Sequence, residues 1–327
     1  MKTHWLWFKS VSLWLLALTA NVGVPAQAED YPTRAVRIIS DSAPGSSVDV
    51  ALRLVADRLG QGWGQQVLAV NQPGGGGSIS VRAAADATPD GYTLYMPALS
   101  VFLPTPGKPA NLVPEVPRDF APIGFVTEQP MFIAAAPSLG VSTLPELIAL
   151  AKKRPGEISY AVTGVGRLTH LTGELLQHRA GIKLLLVPYS GGPNHALNDI
   201  MGGRIPLIIE AYSGLAGAIQ AGNLKALAMG AAKRLPDFPD LPTVAETIPG
   251  FNAVGWQVLV APIGTPEAIV RKVSDALYAV VTDPEVKKQL ARRGSYPRPM
   301  SPAELTAFIQ GEQQQWKPIL EQLASKP

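Results

Sequence analysis

Two short stretches carry the residue types best suited to holding a small anion. In "TGVGRLTH", Thr163 to His170, two glycines flank a valine, an arginine follows, and the run "LTGELLQHRA" then reads as a helix. In "DSAPGSSVD", Asp41 to Asp49, a turn of small residues again leaves a strand-like run and enters a helix. Free N–H groups at a helix start, together with the positive end of the helix dipole, favour an anion there, and glycine permits its close approach. Facing one another across a cleft, the two loops would grip a carboxylate from both sides. Neither has the spacing of G-x-G-x-x-G or the lysine of a P-loop, and the run Gly74 to Gly77, which follows a proline, lacks that lysine too.

Other chemistry finds little support. His170, His178 and His195 show no metal-ligand spacing, and His170 and His178 lie eight apart on one expected helix, too far for one small ion. His170 is expected to fix its loop by hydrogen bonding. A hydrolase is the rival reading, since serine, histidine and acid are present, but there is no G-x-S-x-G elbow and neither Ser190 nor Ser213 sits in a nucleophile's setting. With no cysteine, disulfides, thiol nucleophiles and thiolate metal sites are excluded. No metal or cofactor is expected, and the absence of basic runs interleaved with aromatics leaves nucleic-acid binding without a basis.

The elements that position these loops alternate. "AVRIIS", "QVLAVNQ" and "PDGYTLYMP" read as strands separated by the helix "VALRLVADRLG" and by a glycine-rich loop entering a second helix. That order implies a parallel sheet flanked by helices. After the long strand-like segment "FAPIGFVTEQPMFIAAAPS" the pattern restarts: helix "LPELIALAKKR" behind a capping box at Thr143 and Glu146, strand "ISYAV", helix "LTGELLQHRAG", strand "KLLLVPY", helix "NHALNDIMGG", then strands "IPLIIEA" and "LKALAMG" in succession. A last strand, "AVGWQVLVAP", precedes three helices with N-caps placed at Thr265, Asp283 and Ser301, each before a proline. The expectation is an α/β protein of two lobes joined by two crossing strands: residues 29–125 with 256–327, and residues 126–255. The cleft at such a junction is where small ligands bind. Tyr189, Tyr212 and Trp256 fall at strand ends near it, as ligand walls or as hinge packing.

The chain's 327 residues and 46% hydrophobic content allow a large core. At its start, Lys2 and Lys9, the apolar centre Val11 to Ala20 and the sequence Ala26-Gln27-Ala28 have the layout of a secretory signal peptide cleaved after Ala28. The apolar stretch is well short of the roughly 20 residues a spanning helix needs. Export to the periplasm is expected, and because the formal net charge of +3 includes both signal-peptide lysines, charge says little about partners.

Beyond these features, "YPTRAVRIIS", "VNQPGGGGSIS", "PDGYTLYM", "DFAPIGFV", "ELIALAKKRPGEISYA", the GxG with His170 downstream, "VPYSGG", "LKALAMGAAKR", "LPTVAE" and "APIGTPE" together resemble the extracytoplasmic receptors of tripartite tricarboxylate transporters, the Bug receptors. The resemblance covers nearly all of the chain after the signal. It implies a type II two-lobed periplasmic binding protein without catalytic role, acting as a monomer, that holds a carboxylated solute in the two loops and presents it, on closure, to large and small membrane permease subunits. The same clamshell could instead feed a sensor.

Carried over residue by residue, the resemblance gives Asp41, Ser42, Gly45 and Ser46 in the first loop and Thr163, Gly166, Arg167, Thr169 and His170 in the second. Ser100 and Glu210 complete the candidate set. The departures are chemical. Asp41 and Ser42 stand where the family has proline and an aromatic, Ser46 and Ser47 replace glycines, Arg167 replaces a serine, and Glu210 stands where many members have aspartate. Two roles are open to Arg167: pairing bidentately with a ligand carboxylate, or folding back onto Asp41 or Glu210. Asp41 and Glu210 could meet a cationic group of the solute. Loss of the aromatic at Ser42 favours a larger or more polar ligand.

Overall fold

The computed structural model describes residues 30–105 and 113–324. The signal segment 1–28, with the expected cleavage after Ala28, lies outside the described residues.

The first unit starts with β1 (Val36–Ser40), α1 (Ser47–Trp63), β2 (Val67–Asn71), α2 (Ser78–Ala85) and β3 (Thr93–Tyr95). β1 lies between β2 and β3 and runs parallel to both, Val36 opposite Val67 and Ile38 opposite Leu94. Helix α1 begins where the Ser46 hydroxyl accepts the Asp49 N–H and stops at Gly64, which takes the left-handed conformation (φ 64°) that spares a helix end its unpaired carbonyls. Between them Val48, Leu52, Val55 and Leu59 fall on one face and are buried against the sheet.

Strand β4 (Phe120–Ala135) then runs for 16 residues. The second unit follows: α3 (Leu144–Lys153), β5 (Ser159–Val162), α4 (Leu168–Ala180), β6 (Leu185–Pro188), α5 (Pro193–Met201), β7 (Leu207–Ala211), α6 (Tyr212–Gln220), β8 (Lys225–Met229) and α7 (Val244–Thr247). β9 (Val254–Pro262) returns antiparallel to β4, and α8 (Glu267–Thr282), α9 (Pro284–Ala291) and α10 (Pro302–Ala324) end the described chain. The hydrogen-bonded path is β2-β1-β3-β9-β4-β7-β5-β6, with β8 also on β4. The last helices pack back on the first unit: Val273, Leu277 and Val281 of α8 share a core with Leu52 and Leu59, and Val286 and Leu290 of α9 pack on Ala51.

β4 changes partner along its length. Phe120 to Pro130 pair with β9, and Met131 to Ala135 lie between β7 and β8. At the change, three main-chain bonds close a knot: Met131 N–H donates to Ala253 O (2.9 Å), Gly230 N–H to Met131 O (2.7 Å) and Ala253 N–H to Gly230 O (2.8 Å). Beside it the segment after α9 is tied in, through Tyr296 paired with the main chain of Glu128 and the Ser295 hydroxyl 3.0 Å from Gln129 Oε1.

The structure differs from the sequence reading at four places. A helix, α6, separates the strands "IPLIIEA" and "LKALAMG". Its glycines hid it, and Gly214 is needed because a Cβ there would lie 2.9 Å from Glu210 Cγ. Short α7, behind the capping box of Thr243 and Glu246, was also unforeseen. Thr265 does not cap α8; its hydroxyl turns back to Pro262 O (2.8 Å) and Pro266 occupies the cap position. At Thr143 the hydroxyl accepts the Glu146 N–H, but the Glu146 carboxylate reaches past the cap to Ser142 N–H (2.6 Å). The caps at Asp283 and Ser301 form as expected, the latter with bonds in both directions to Glu304.

The knot has no room for a side chain at its centre: a Cβ on Gly230 would sit 2.7 Å from Ala253 O, a backbone atom that cannot swing aside. Gly230→Ala is expected to destabilise the protein by about 1–3 kcal/mol, the usual range for overpacking. Urea unfolding measures it, and an unchanged midpoint would show that the crossing tolerates displacement.

Candidate functional site

A cavity of about 310 Å³ opens where the crossing strands meet the loops at the ends of β1 and β5. The first loop is built around Asp49 rather than around the cavity. Asp49 accepts from Gly45 N–H (2.9 Å), Arg53 Nε (3.0 Å) and Asn71 Nδ2 (2.9 Å), and Asn71 also donates to Ser42 O (3.1 Å). Burial pushes the Asp49 carboxyl up, and the Arg53, Gly45 and Asn71 bonds outweigh it and leave it below the ordinary carboxylate range. Ser42 is buried against Ser40, their hydroxyls 2.9 Å apart, and Gly45 takes a left-handed turn (φ 77°). Neither reaches the cavity wall, whereas Asp41 and Ser46 do.

The second loop is held the same way. Thr169 Oγ1 accepts the Thr163 N–H (3.2 Å), and His170 Nδ1 accepts the Gly166 N–H (3.2 Å), the loop-fixing role expected of it. Gly166 (φ 75°) abuts Thr105, whose Oγ1 a Cβ would approach to 3.1 Å. Thr163, Arg167 and Thr169 line the cavity; Gly166 and His170 stand behind them. Arg167 Nη1 contacts Asp41 Oδ2 and Asp41 O. Burial lowers the guanidinium to about 10, Glu210 raises it, and it stays protonated at neutral pH.

Glu210 ends β7 on the wall, 4% exposed. Its Oε2 accepts from Thr163 Oγ1 (2.8 Å) and its Oε1 from Ala211 N–H (2.9 Å). Burial pushes its carboxyl above the ordinary glutamate range, against the pull of those bonds and of Arg167. Among the described residues on the wall, Arg167 is the one cationic side chain, against two carboxylates, Asp41 and Glu210.

Ser100 lines the cavity beside Leu99, and apart from Trp256 the remaining wall went unforeseen. Gly74 to Gly77 form one side, each with positive φ, a path that other residues rarely follow. Gln129 and Met131 come from β4, and Gly255, Trp256 and Gln257 from β9. The signals existed: four glycines after a strand, and a buried glutamine inside each apolar crossing strand. Gln257 is 1% exposed and its Oε1 has no hydrogen-bond partner. Trp256 serves as wall and packing together, stacked on Phe102 (centroids 5.6 Å) with Nε1 donating to Glu312 (3.0 Å). Tyr189 bonds Asp199 and Tyr212 packs on Phe132 and Phe238, both off the wall. Ser190 lines the cavity, while His178 and His195 do not.

Two α/β lobes, crossing strands and a cleft between loop-to-helix turns define a periplasmic solute-binding protein. The sequence profile described as tripartite tricarboxylate transporter family receptor matches residues 51–324. The chain belongs to that family, one of periplasmic receptors and not of enzymes. Protein BugT of Bordetella pertussis (strain Tohama I) is 33% identical over 314 residues, 94% of this chain and 95% of that one. Rpa4515 from R. palustris, solved with adipate, is 29% identical with a TM-score of 0.83, covering 89% of this chain and 97% of that one. MatC from Rhodopseudomonas palustris, solved with bound malate, is 28% identical with a TM-score of 0.79, over 89% of this chain and all of that one.

Because the Glu210 carboxyl is raised in the fold, the stability it contributes is fully present below the unfolded glutamate value of 4.5 and is lost as pH rises through the folded value. Glu210→Gln removes that loss, so its stability relative to the natural chain should climb from pH 4 to pH 7. Parallel pH profiles for the two proteins, by chemical unfolding, would contradict the buried titration.

Proposed function

We propose that this receptor captures a small carboxylate-bearing solute in the cleft and delivers it to the large and small permease subunits of a tripartite tricarboxylate-type transporter. The observation that carries the reading is a cavity framed by two helix-start loops, with the buried Gln257 Oε1 on its wall lacking a donor. Helix starts suit a carboxylate, and because a buried acceptor without a partner is costly, a hydroxyl or N–H elsewhere on the solute that donates to Gln257 Oε1 recovers that cost. Adipate and malate in two relatives make a carboxylate the fitting solute class.

In this reading residues 29–125 with 256–327 and residues 126–255 are the two lobes, and the export signal is removed after Ala28. The solute contacts are made from Asp41, Ser46, Ser100, Thr163, Arg167, Thr169 and Glu210, with Ser42, Gly45, Gly166 and His170 shaping the loops behind them. A solute that touches both lobes favours the closed form because only that form makes both sets of contacts, and the permease reads the closed shape of a monomeric receptor.

The test is a thermal-shift series on protein from Glu29 onward, unfolded and refolded to strip retained ligand, against mono-, di- and tricarboxylates, aromatic acids and acidic amino acids. One acid class should stabilise the fold, by about 2.7 kcal/mol at a hundredfold excess over Kd. Gln257→Leu, of similar size, should weaken a hydroxyl-bearing acid of that class about three- to tenfold, the worth of a neutral hydrogen bond. No shift with any acid would overturn the receptor reading. Uptake of the identified acid that persists in cells lacking the receptor would overturn delivery to the permease.

A further inference from the structure

The Arg167–Asp41 pair joins residues that lie 126 apart in the chain, one at the start of α4 and one at the end of β1. It spans the cleft. Asp41 is held rigidly, since its Oδ1 accepts the Ala98 N–H (3.1 Å) while Oδ2 and the main-chain oxygen face the guanidinium. The Asp41 side chain is wholly buried and that of Arg167 is 16% exposed. Around the pair the same two sides touch closely: Ser47 Oγ lies 3.4 Å from Ala211 O, and a Cβ on Gly192 would approach Pro44 O to 3.0 Å.

This arrangement has an electrostatic consequence. The wall's one cation among the described residues already faces an anion, and a second acid, Glu210, stands nearby. A solute carboxylate can take Arg167 only by displacing Asp41, which would then be left buried with the Ala98 N–H alone. Removing one partner of a buried ion pair is strongly unfavourable because the other charge stays behind uncompensated. A carboxylate held by loop N–H groups and hydroxyls avoids that cost, whereas a second carboxylate on the same solute meets two acids and, among the described residues of the wall, no available cation.

We propose that Asp41 acts as an internal anion in the place of one solute carboxylate, tying the two sides of the cleft together through Arg167 and selecting against solutes with two carboxylates. The proposal rests on the solute-receptor reading for its selectivity half. Its tie between the two sides stands apart from any solute, so the two can fail separately.

The chain has no cysteine, so Gln61→Cys and Lys225→Cys, both at exposed positions on opposite units, give a clean pair of spin-label sites. In refolded, solute-free protein the label distance should fall in one narrow distribution. Asp41→Asn and Arg167→Gln should each lengthen and broaden it. Binding is then read by calorimetry with adipate and monomethyl adipate, which match in length and differ by one charge. Asp41→Asn should raise adipate affinity about tenfold, with less than about a threefold change for the monoester, the imbalance expected when one buried like charge is removed. Arg167→Gln should show no such gain. Unchanged distances in both variants overturn the tie. Equal effects on the two probes, or no adipate binding by Asp41→Asn, overturn the selectivity. Failure of the whole acid panel with the natural chain, alongside a lengthened distance in both variants, would discard the receptor reading and leave the tie intact. Should Asp41→Asn not fold, Arg167→Gln alone decides the tie, and Asp41→Ser supplies the binding comparison.

Discussion

The knot of Met131, Gly230 and Ala253 is the constraint on which the remaining structure depends. Here β4 stops pairing with β9 and starts pairing with β7 and β8, so one strand belongs to both halves of the sheet path. Every backbone group at the change has to find a partner in the interior, because a buried unpaired N–H or carbonyl is costly. The three bonds supply those partners, and they do so only because Gly230 lacks a side chain facing Ala253.

With the crossing fixed, the cleft follows. β1 and β5 lie on opposite sides of the β4–β9 pair, and each delivers its carboxyl end and following helix start to the same space. The crossing strands also form the floor, placing Gln129, Met131, Trp256 and Gln257 beneath both loops. Anything bound there touches the two loops and the strands that join them at once. A contact in the cleft is therefore also a contact with the strands that cross between its two sides.

Much of this was legible in the sequence. The alternation of "AVRIIS", "VALRLVADRLG" and "QVLAVNQ" gave the parallel unit because period and punctuation agree there. Caps with a proline behind Asp283 and Ser301 marked helix starts because the cap bond is local. Thr265 failed the same test because a carbonyl three residues back, at Pro262, competed for its hydroxyl. Helix α6 was hidden because Gly214 serves Glu210, a contact four residues back in the chain, at the expense of helix propensity. In the site, the two loops and Arg167 were visible as chemistry at strand ends. The glutamines and the glycine wall were not, because only the crossing brings Gln129 and Gln257 together, through strand pairing rather than spacing.

The division of labour within each loop explains how such a cleft can change its chemistry without losing its shape. In the first loop, Asp49 gathers Gly45, Arg53 and Asn71 and faces away from the cavity, so the turn is set whether residue 41 is proline or aspartate. In the second, Thr169 and His170 hold the Thr163 and Gly166 N–H groups, so the turn is set whether residue 167 is serine or arginine. Asp41 and Arg167, two of the positions that depart from the family's pattern, face inward and meet each other. Asp41 without Arg167 would bury one uncompensated charge. Together they make a compensated pair, and the preorganised loops behind them let the pair form without any shift of the frame.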